Sequence, residues 1–310
     1  MRLIFMGTPE FAIPSLKKLI QEHEVLAVTT QPDRPAGRGR YLTPPPVKVA
    51  ALELGLPVLQ PLMAKEEAFL SKVRGLHPEI IVVVAYGQFL PQALLSLPPR
   101  GSLNLHPSLL PKYRGAAPIN WALIRGETIT GVTVMLIGER MDAGPILLQR
   151  EEPIFPDDTA GSVATRLAEL GALVLAEALK LMEQRELRPI PQDERLASYA
   201  PKLRTEDGLI PWEWEAGRLH NLIRGLSPDP GAYTFFKGKR LKVLRSALAF
   251  KEGEGGAPGA ILKVEKDGLL VETGRGALLL LEVQPEGRKI MTAPEFARGA
   301  RLKPGDALGE

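Results

Sequence analysis

The sequence predicts an α/β protein, an open and mostly parallel sheet domain followed by a small antiparallel β-barrel. Three observations predict it. The first 150 residues alternate strand-like and helix-like patterns, which is how βα units build a parallel sheet. A long amphipathic helix and a proline-bearing connector then close that half of the chain. Beyond residue 207 the pattern changes to short alternating runs separated by Gly, Pro, Lys and Asp turns, the spacing of a small barrel.

The elements follow in order. Leu3–Met6 is a short apolar strand that ends at Gly7, and Thr8 is placed to cap a helix with Pro9 in its first turn. Val25–Thr30 reads as the second strand, and Val47–Leu54 and Lys65–Leu76 as helices. Ile80–Val84 is the clearest buried parallel strand, a continuous β-branched run. Ser102–Leu105 is a further strand, Pro118–Arg125 a helix, and Gly131–Ile137 an extended run. Residues 158–187 form the longest helix, with Val163, Leu167, Leu170, Val174, Ala178 and Leu181 on one face. Arg188–Gln192 breaks the pattern with two prolines. The expected division is therefore a Rossmann-like domain at 1–187, a linker at 188–206 and an OB-like barrel at 207–310. In the last part Ala216–Leu226 is helical, and Leu241–Leu244, Gly259–Val264, Leu269–Glu272 and Ala277–Val283 are strands, with a loop at 251–258.

Composition removes several classes of function. A chain of 310 residues without cysteine has no disulfide scaffold, thiolate nucleophile, iron–sulfur cluster or Cys-ligated zinc. Its four histidines are scattered, so no metal centre is expected. No apolar run approaches the roughly 20 residues that span a bilayer, and the chain reads as a cytoplasmic protein with no membrane partner. It offers no obvious apolar surface helix, so a monomer is expected. A net charge of +3 is too small to announce nucleic-acid binding by itself. Neither a dinucleotide fingerprint nor a phosphate-binding P-loop is present, and Ser108 lacks a nucleophile elbow.

The chemistry concentrates in Ser102–Pro118. In an extended Leu103–His106, Asn104 and His106 share one face, at the carboxyl end of a strand where open α/β sheets bind ligands. Met141-Asp142-Ala143-Gly144 follows the next extended run and reaches the same edge if that run is parallel to its neighbour. An amide, an imidazole and a carboxylate suit acyl transfer to an amine that is already nucleophilic. The amide and a protonated imidazole stabilise the oxyanion, and the imidazole, oriented by the acid, moves the proton. A strand-end Asn-x-His and an Asp-x-Gly turn are also ordinary structural patterns, and these residues alone leave both readings open.

The segments Asn104-Leu-His106-Pro-Ser108-Leu-Leu-Pro111, Tyr113–Ile119, Gly131-Val-Thr133 and Met141–Gly144 resemble the folate-dependent formyltransferases, most closely those acting on methionyl-tRNA. Leu3–Ala12 and Thr30–Gly39 are similar as well. The resemblance spans essentially the whole chain. It implies Asn104, His106 and Asp142 as the catalytic trio, with Ser108, Leu109, Leu110 and Pro111 bordering a tetrahydrofolate pocket. It implies Tyr86, Gly87 and Phe89, within Tyr86–Leu90, as a second wall. The donor would be 10-formyltetrahydrofolate, and the acceptor methionine esterified to initiator tRNA. Ala143 stands where the family commonly has Thr, and Tyr41 where a basic residue is common.

The resemblance also implies RNA contacts in the Gln31–Pro46 loop, through Arg34, Arg38 and Arg40. In the C-terminal part, Lys239, Arg240 and Lys242 form a basic strip in which Arg240 and Lys242 alternate with Leu241 and Val243. That strip is suited to tRNA phosphates, though a solvated strand face has the same pattern. Two alternatives stay open: a formyltransferase for a small amine such as an amino-sugar nucleotide, and a non-catalytic RNA-binding protein.

Overall fold

The structure, a computed structural model, describes residues 1–36, 41–249 and 256–309. Along the chain the first strands and helices are β1 (Arg2–Gly7), α1 (Ile13–Leu19), β2 (Glu24–Thr29), β3 (Arg34–Ala36), β4 (Tyr41–Thr43), α2 (Pro46–Glu53), β5 (Val58–Leu59), α3 (Glu67–Leu76), β6 (Ile80–Val84) and α4 (Gln92–Leu95). There follow β7 (Ser102–His106), β8 (Arg114–Gly115), α5 (Pro118–Ile124), β9 (Ile129–Leu136), β10 (Ile146–Pro153), α6 (Ala160–Gln184) and β11 (Tyr199–Ala200). The last stretch holds α7 (Ala216–Leu226), β12 (Ala232–Phe236), β13 (Lys239–Leu248), β14 (Ile261–Val264), β15 (Leu269–Glu272), β16 (Ala277–Pro285), β17 (Met291–Thr292) and α8 (Ala293–Ala300).

Two compact units result. The first comprises 1–115, 130–152 and 164–199, and the second 116–129, 153–163 and 200–310. Two stretches of the first 187 residues thus group with the second unit. Side-chain reasons are visible: Asn120 Nδ2 on α5 donates to the Gly225 carbonyl (2.8 Å), and a Cβ on Gly225 would sit 2.6 Å from Ile124. Arg224 Nη1 likewise donates to the Phe155 carbonyl (3.0 Å).

The first unit is built on a seven-stranded sheet of order β10-β9-β7-β6-β1-β2-β5. Strands β7, β6, β1, β2 and β5 are mutually parallel, whereas β9 runs antiparallel to β7. All five residues of β6 are buried, as expected for a strand covered on both faces. The chain runs from β1 through β2 to β5 on one side and then crosses to β6 on the other side of β1, so the carboxyl ends of β1 and β6 flank a switch point. There Thr8 does not cap a helix. Its hydroxyl donates to the Tyr86 carbonyl (2.7 Å) and accepts from the Gln31 N–H (3.3 Å), tying three strand ends together, and α1 starts only at Ile13. The Gln31–Pro46 loop contains a small hairpin, with Arg34 opposite Thr43.

The second unit carries an antiparallel sheet of order β12-β13-β16-β15-β14, with β17 on β16. The antiparallel sheet matches the expectation; no ladder joins β14 directly to β12 among the described residues, but the segment 305–309 lies between them, with the Leu308 N–H donating to the Gly259 carbonyl (2.8 Å) and the Gly309 N–H to the Phe235 carbonyl (2.8 Å). Helix α7 supplies Leu219, Leu222, Ile223 and Leu226 to its core, where Trp212 also lies, its indole N–H donating to Thr234 Oγ1 (2.9 Å). Residues 251–255 of the expected 251–258 loop lie outside the described residues.

Candidate active site

Strand β7 has two faces with different duties. Leu103 and Leu105 are buried on one, and α6 comes close enough there that a Cβ on Gly171 would lie 2.7 Å from Leu105 Cδ2. Asn104 and His106 take the opposite face, as alternation requires. His106 is 4% exposed, and its Nε2 lies 3.0 Å from the Tyr113 carbonyl. A carbonyl only accepts, so Nε2 carries a hydrogen and donates it. The other ring nitrogen, Nδ1, faces Asp142 Oδ2 at 3.8 Å, beyond hydrogen-bond distance in this state. A proton arriving at Nδ1 therefore meets a carboxylate, while Nε2–H holds the ring against the backbone.

Asp142 arrives by a route that the sequence reading did not foresee. That reading required Gly131–Ile137 to run parallel to its neighbour. The strand is antiparallel, pairing Leu103 with Leu136 and His106 with Thr133, so its carboxyl end lies beside the amino end of β7. The segment after Leu136 instead folds back toward His106. It is anchored where the Leu136 N–H donates to the Pro145 carbonyl (3.0 Å), and a side chain on Gly144 would collide with the Leu136 carbonyl. Asp142 itself adopts φ 51°, and its Oδ2 accepts from the Gly115 N–H (2.9 Å).

The Ser108–Pro111 segment is pinned from below. Thr133 Oγ1 donates to the Ser108 carbonyl (2.6 Å) and accepts from the Leu110 N–H (3.2 Å) and Gln149 Nε2 (2.8 Å). Gln149 also donates to the Leu110 carbonyl (2.8 Å), and Ser108 Oγ donates to the Lys112 carbonyl (2.7 Å). Leu109 Cδ2 presses on Gly131, where a Cβ would meet it at 2.6 Å, and the Leu110–Pro111 bond is cis. In the other segment Tyr86 is a core residue whose hydroxyl is buried, and burial pushes it up to about 12. Gly87 turns the backbone at φ 87°, and Phe89 is 76% exposed.

Of the basic candidates, Arg34 donates from Nη2 to Gln31 Oε1 (2.9 Å), while Arg38 and Arg40 lie outside the described residues. In the second unit, Leu241 and Val243 of β13 are buried, Lys239 is exposed and Lys242 half-buried. The Arg240 guanidinium lies over the Tyr233 ring, 3.6 Å from its centroid. The sequence reading missed three residues that build the site. Gln149 and Gln192 have no local motif, and Arg114, within a quoted segment, gave no sign of being 2% exposed.

Residues 1–179 match the family described as formyl transferase, and residues 202–301 match the formyl transferase C-terminal domain. The methionyl-tRNA formyltransferase of Geobacter sulfurreducens is 52% identical over 311 residues, covering 100% of this chain and 97% of its own. That of Moorella thermoacetica is 50% identical over 310 residues, covering 100% and 99%. Among solved structures, HypX from Aquifex aeolicus in complex with tetrahydrofolic acid is similar over 96% of this chain, with TM-score 0.66 and 21% identity. This chain spans 47% of HypX. The methionyl-tRNA formyltransferase from Clostridium thermocellum is similar over 80% of this chain and 94% of its own, with TM-score 0.59 and 17% identity. At such identities the structural likenesses bear on the fold alone.

Proposed function

This chain belongs to the formyl transferase family, and from that premise we propose that it transfers the formyl group of 10-formyltetrahydrofolate to the α-amino group of methionyl initiator tRNA. The product supports translation initiation in the cytoplasm. The observation that carries the reading is the imidazole of His106, held by Tyr113 through one nitrogen and facing Asp142 through the other, at the carboxyl end of β7 beside Asn104.

The α-amino group, with an ordinary pKa of roughly 7.7–8.0, is partly unprotonated near neutrality and needs no activated nucleophile. Its nitrogen attacks the formyl carbon, a C–N bond forms, and the carbonyl oxygen becomes an oxyanion. The Asn104 amide donates to that oxygen, as does His106 when protonated. The nitrogen gives up a proton to His106 Nδ1, whose imidazolium is matched by Asp142. Return of that proton to N10 lets the folate C–N bond break, releasing tetrahydrofolate. None of these steps calls on a metal.

Ser108–Pro111 and the backbone about Tyr86 and Gly87 are the proposed folate border, with Phe89 free to close on the ring system. Residues 1–187 are assigned the transfer centre, 188–206 the linker, and 207–310 the tRNA-binding part. Arg34, Arg38, Arg40, Lys239, Arg240 and Lys242 are the proposed phosphate contacts of a monomeric enzyme.

The test is transfer of labelled formyl from the folate to charged initiator tRNA, against charged elongator tRNA and an amino-sugar nucleotide. N104A and H106A are expected to slow the first reaction by at least about 100-fold while remaining folded. Near-normal turnover in either variant removes that residue from the mechanism, and equal transfer to the amino sugar favours the small-amine reading.

A further inference from the structure

The stretch after α6, taken from sequence as a link, places one side chain inside the machinery. Gln192 Nε2 donates to two carbonyls of the turn that carries the acid, those of Asp142 (2.9 Å) and Gly144 (2.7 Å). Its Oε1 accepts from Arg114 Nε (3.0 Å) and Nη2 (2.8 Å). A guanidinium only donates and a main-chain carbonyl only accepts, so the carboxamide has one orientation, and both of its ends are in use.

Arg114 is 2% exposed; its remaining nitrogen, Nη1, donates to Glu194 Oε2 (3.1 Å), and Nη2, shared with Gln192, also donates to Glu194 Oε1 (3.0 Å). The next residue, Gly115, donates its N–H to Asp142 Oδ2. One short stretch thus holds Asp142 twice, its carboxylate directly and its backbone through Gln192. Glu194 also accepts from Arg140, in the same turn as the acid (3.0 Å). The left-handed φ of Asp142 is a conformation that persists only where the surroundings over-determine it, and these bonds supply that constraint.

We propose that Gln192 is a positioning residue for formyl transfer, locking the Asp142 turn so that its carboxylate stays opposite His106 Nδ1. The proposal rests on the catalytic reading of His106 and Asp142. Because the carboxylate stands 3.8 Å from Nδ1, a small displacement of the turn changes how it meets the imidazolium, while folate and tRNA binding are left alone.

The experiment uses the full chain and compares wild type, Q192E, D142N and the double variant for kcat and for KM of both substrates. Q192E keeps an acceptor for Arg114 but loses both donors to the turn. It is expected to lower kcat by about 10-fold or more, with both KM values within about twofold. D142N is expected to lose about 100-fold, and adding Q192E to it to cost less than about twofold, since Gln192 acts through Asp142. A folded Q192E with wild-type kcat beside a crippled D142N overturns the proposal and leaves the trio standing, as does an equal loss in both backgrounds. A D142N with normal turnover overturns the trio and the proposal together. Should Q192E fail to fold, E194Q loosens Arg114 from a half-exposed position and carries the same pattern at about threefold.

Discussion

His106 has one nitrogen committed and one available. Its Nε2 hydrogen is spent on the Tyr113 carbonyl, so any proton that it moves passes through Nδ1, on the side of Asp142. Thr133 plays a comparable part for the adjoining wall, its one hydroxyl serving Ser108, Leu110 and Gln149 within a fully buried setting. Thr133→Val keeps the shape and removes the hydroxyl, leaving those partners short of a bond. The expected cost is about 1–3 kcal/mol of unfolding free energy together with a raised KM for the folate, read by denaturant titration and steady-state kinetics. An unchanged KM would separate this wall from the folate. The Asn-x-His pair was legible because strand alternation alone puts both side chains on one face. Thr133's bonding was not, because it joins residues distant in sequence.

At the level of elements, α6 and β7 depend on a missing side chain. Gly171→Ala gains about 1 kcal/mol of helix propensity but places a methyl 2.7 Å from Leu105 Cδ2, and overpacking of this kind costs about 1–3 kcal/mol. The expected net result is a lower melting temperature and, because β7 carries His106, a lower kcat; a stabilised and fully active variant would contradict the close approach. Leu167, fully buried on the same helix, should cost about 2–5 kcal/mol when cut to Ala, as measured by urea unfolding. Helices α6 and α7 were legible from periodicity, and Ala216–Leu226 was placed to the residue. Helix α8 was missed although its signal was present: Thr292 and Glu295 form a reciprocal capping box. The β3–β4 hairpin, β10 and β12 were missed as well. Each is short or borders a turn, so its pairing partner, rather than its own pattern, defines it.

Across the whole molecule, two partly buried histidines give the protein an acid limit. His220 is held low chiefly by burial, and its Nε2 hydrogen donates to the Pro156 carbonyl while Nδ1 accepts from Ser246. His23 is held low chiefly by burial, with the Met1 ammonium adding to it. Below the ordinary value of about 6.5 the unfolded chain takes up protons that the folded one refuses, so stability is expected to fall as pH drops from about 6.5 toward the lowered folded values. H220Q should flatten part of that slope, as followed by thermal unfolding between about pH 7 and 5.5. Glu194 acts with the same sign in a lower window: Arg114 holds it below the usual carboxylate range, so its contribution is complete above about 4.5 and fades only at more acid pH. Binding of tRNA should weaken with salt, and K242A should reduce the log–log salt slope by about one unit; an unchanged slope would remove Lys242 from the phosphate contacts. The sequence by itself determined the α/β-then-antiparallel architecture, the parallel sense of the early strands and the Asn104–His106 face, because hydrophobic period and strand alternation act over a few residues. Only the tertiary structure decided that β9 runs antiparallel, that the Asp142 turn folds back to His106, and that Arg114 and Gln192 hold it there. Those facts depend on hydrogen bonds between segments far apart in the chain, whose geometry exists only once both are packed.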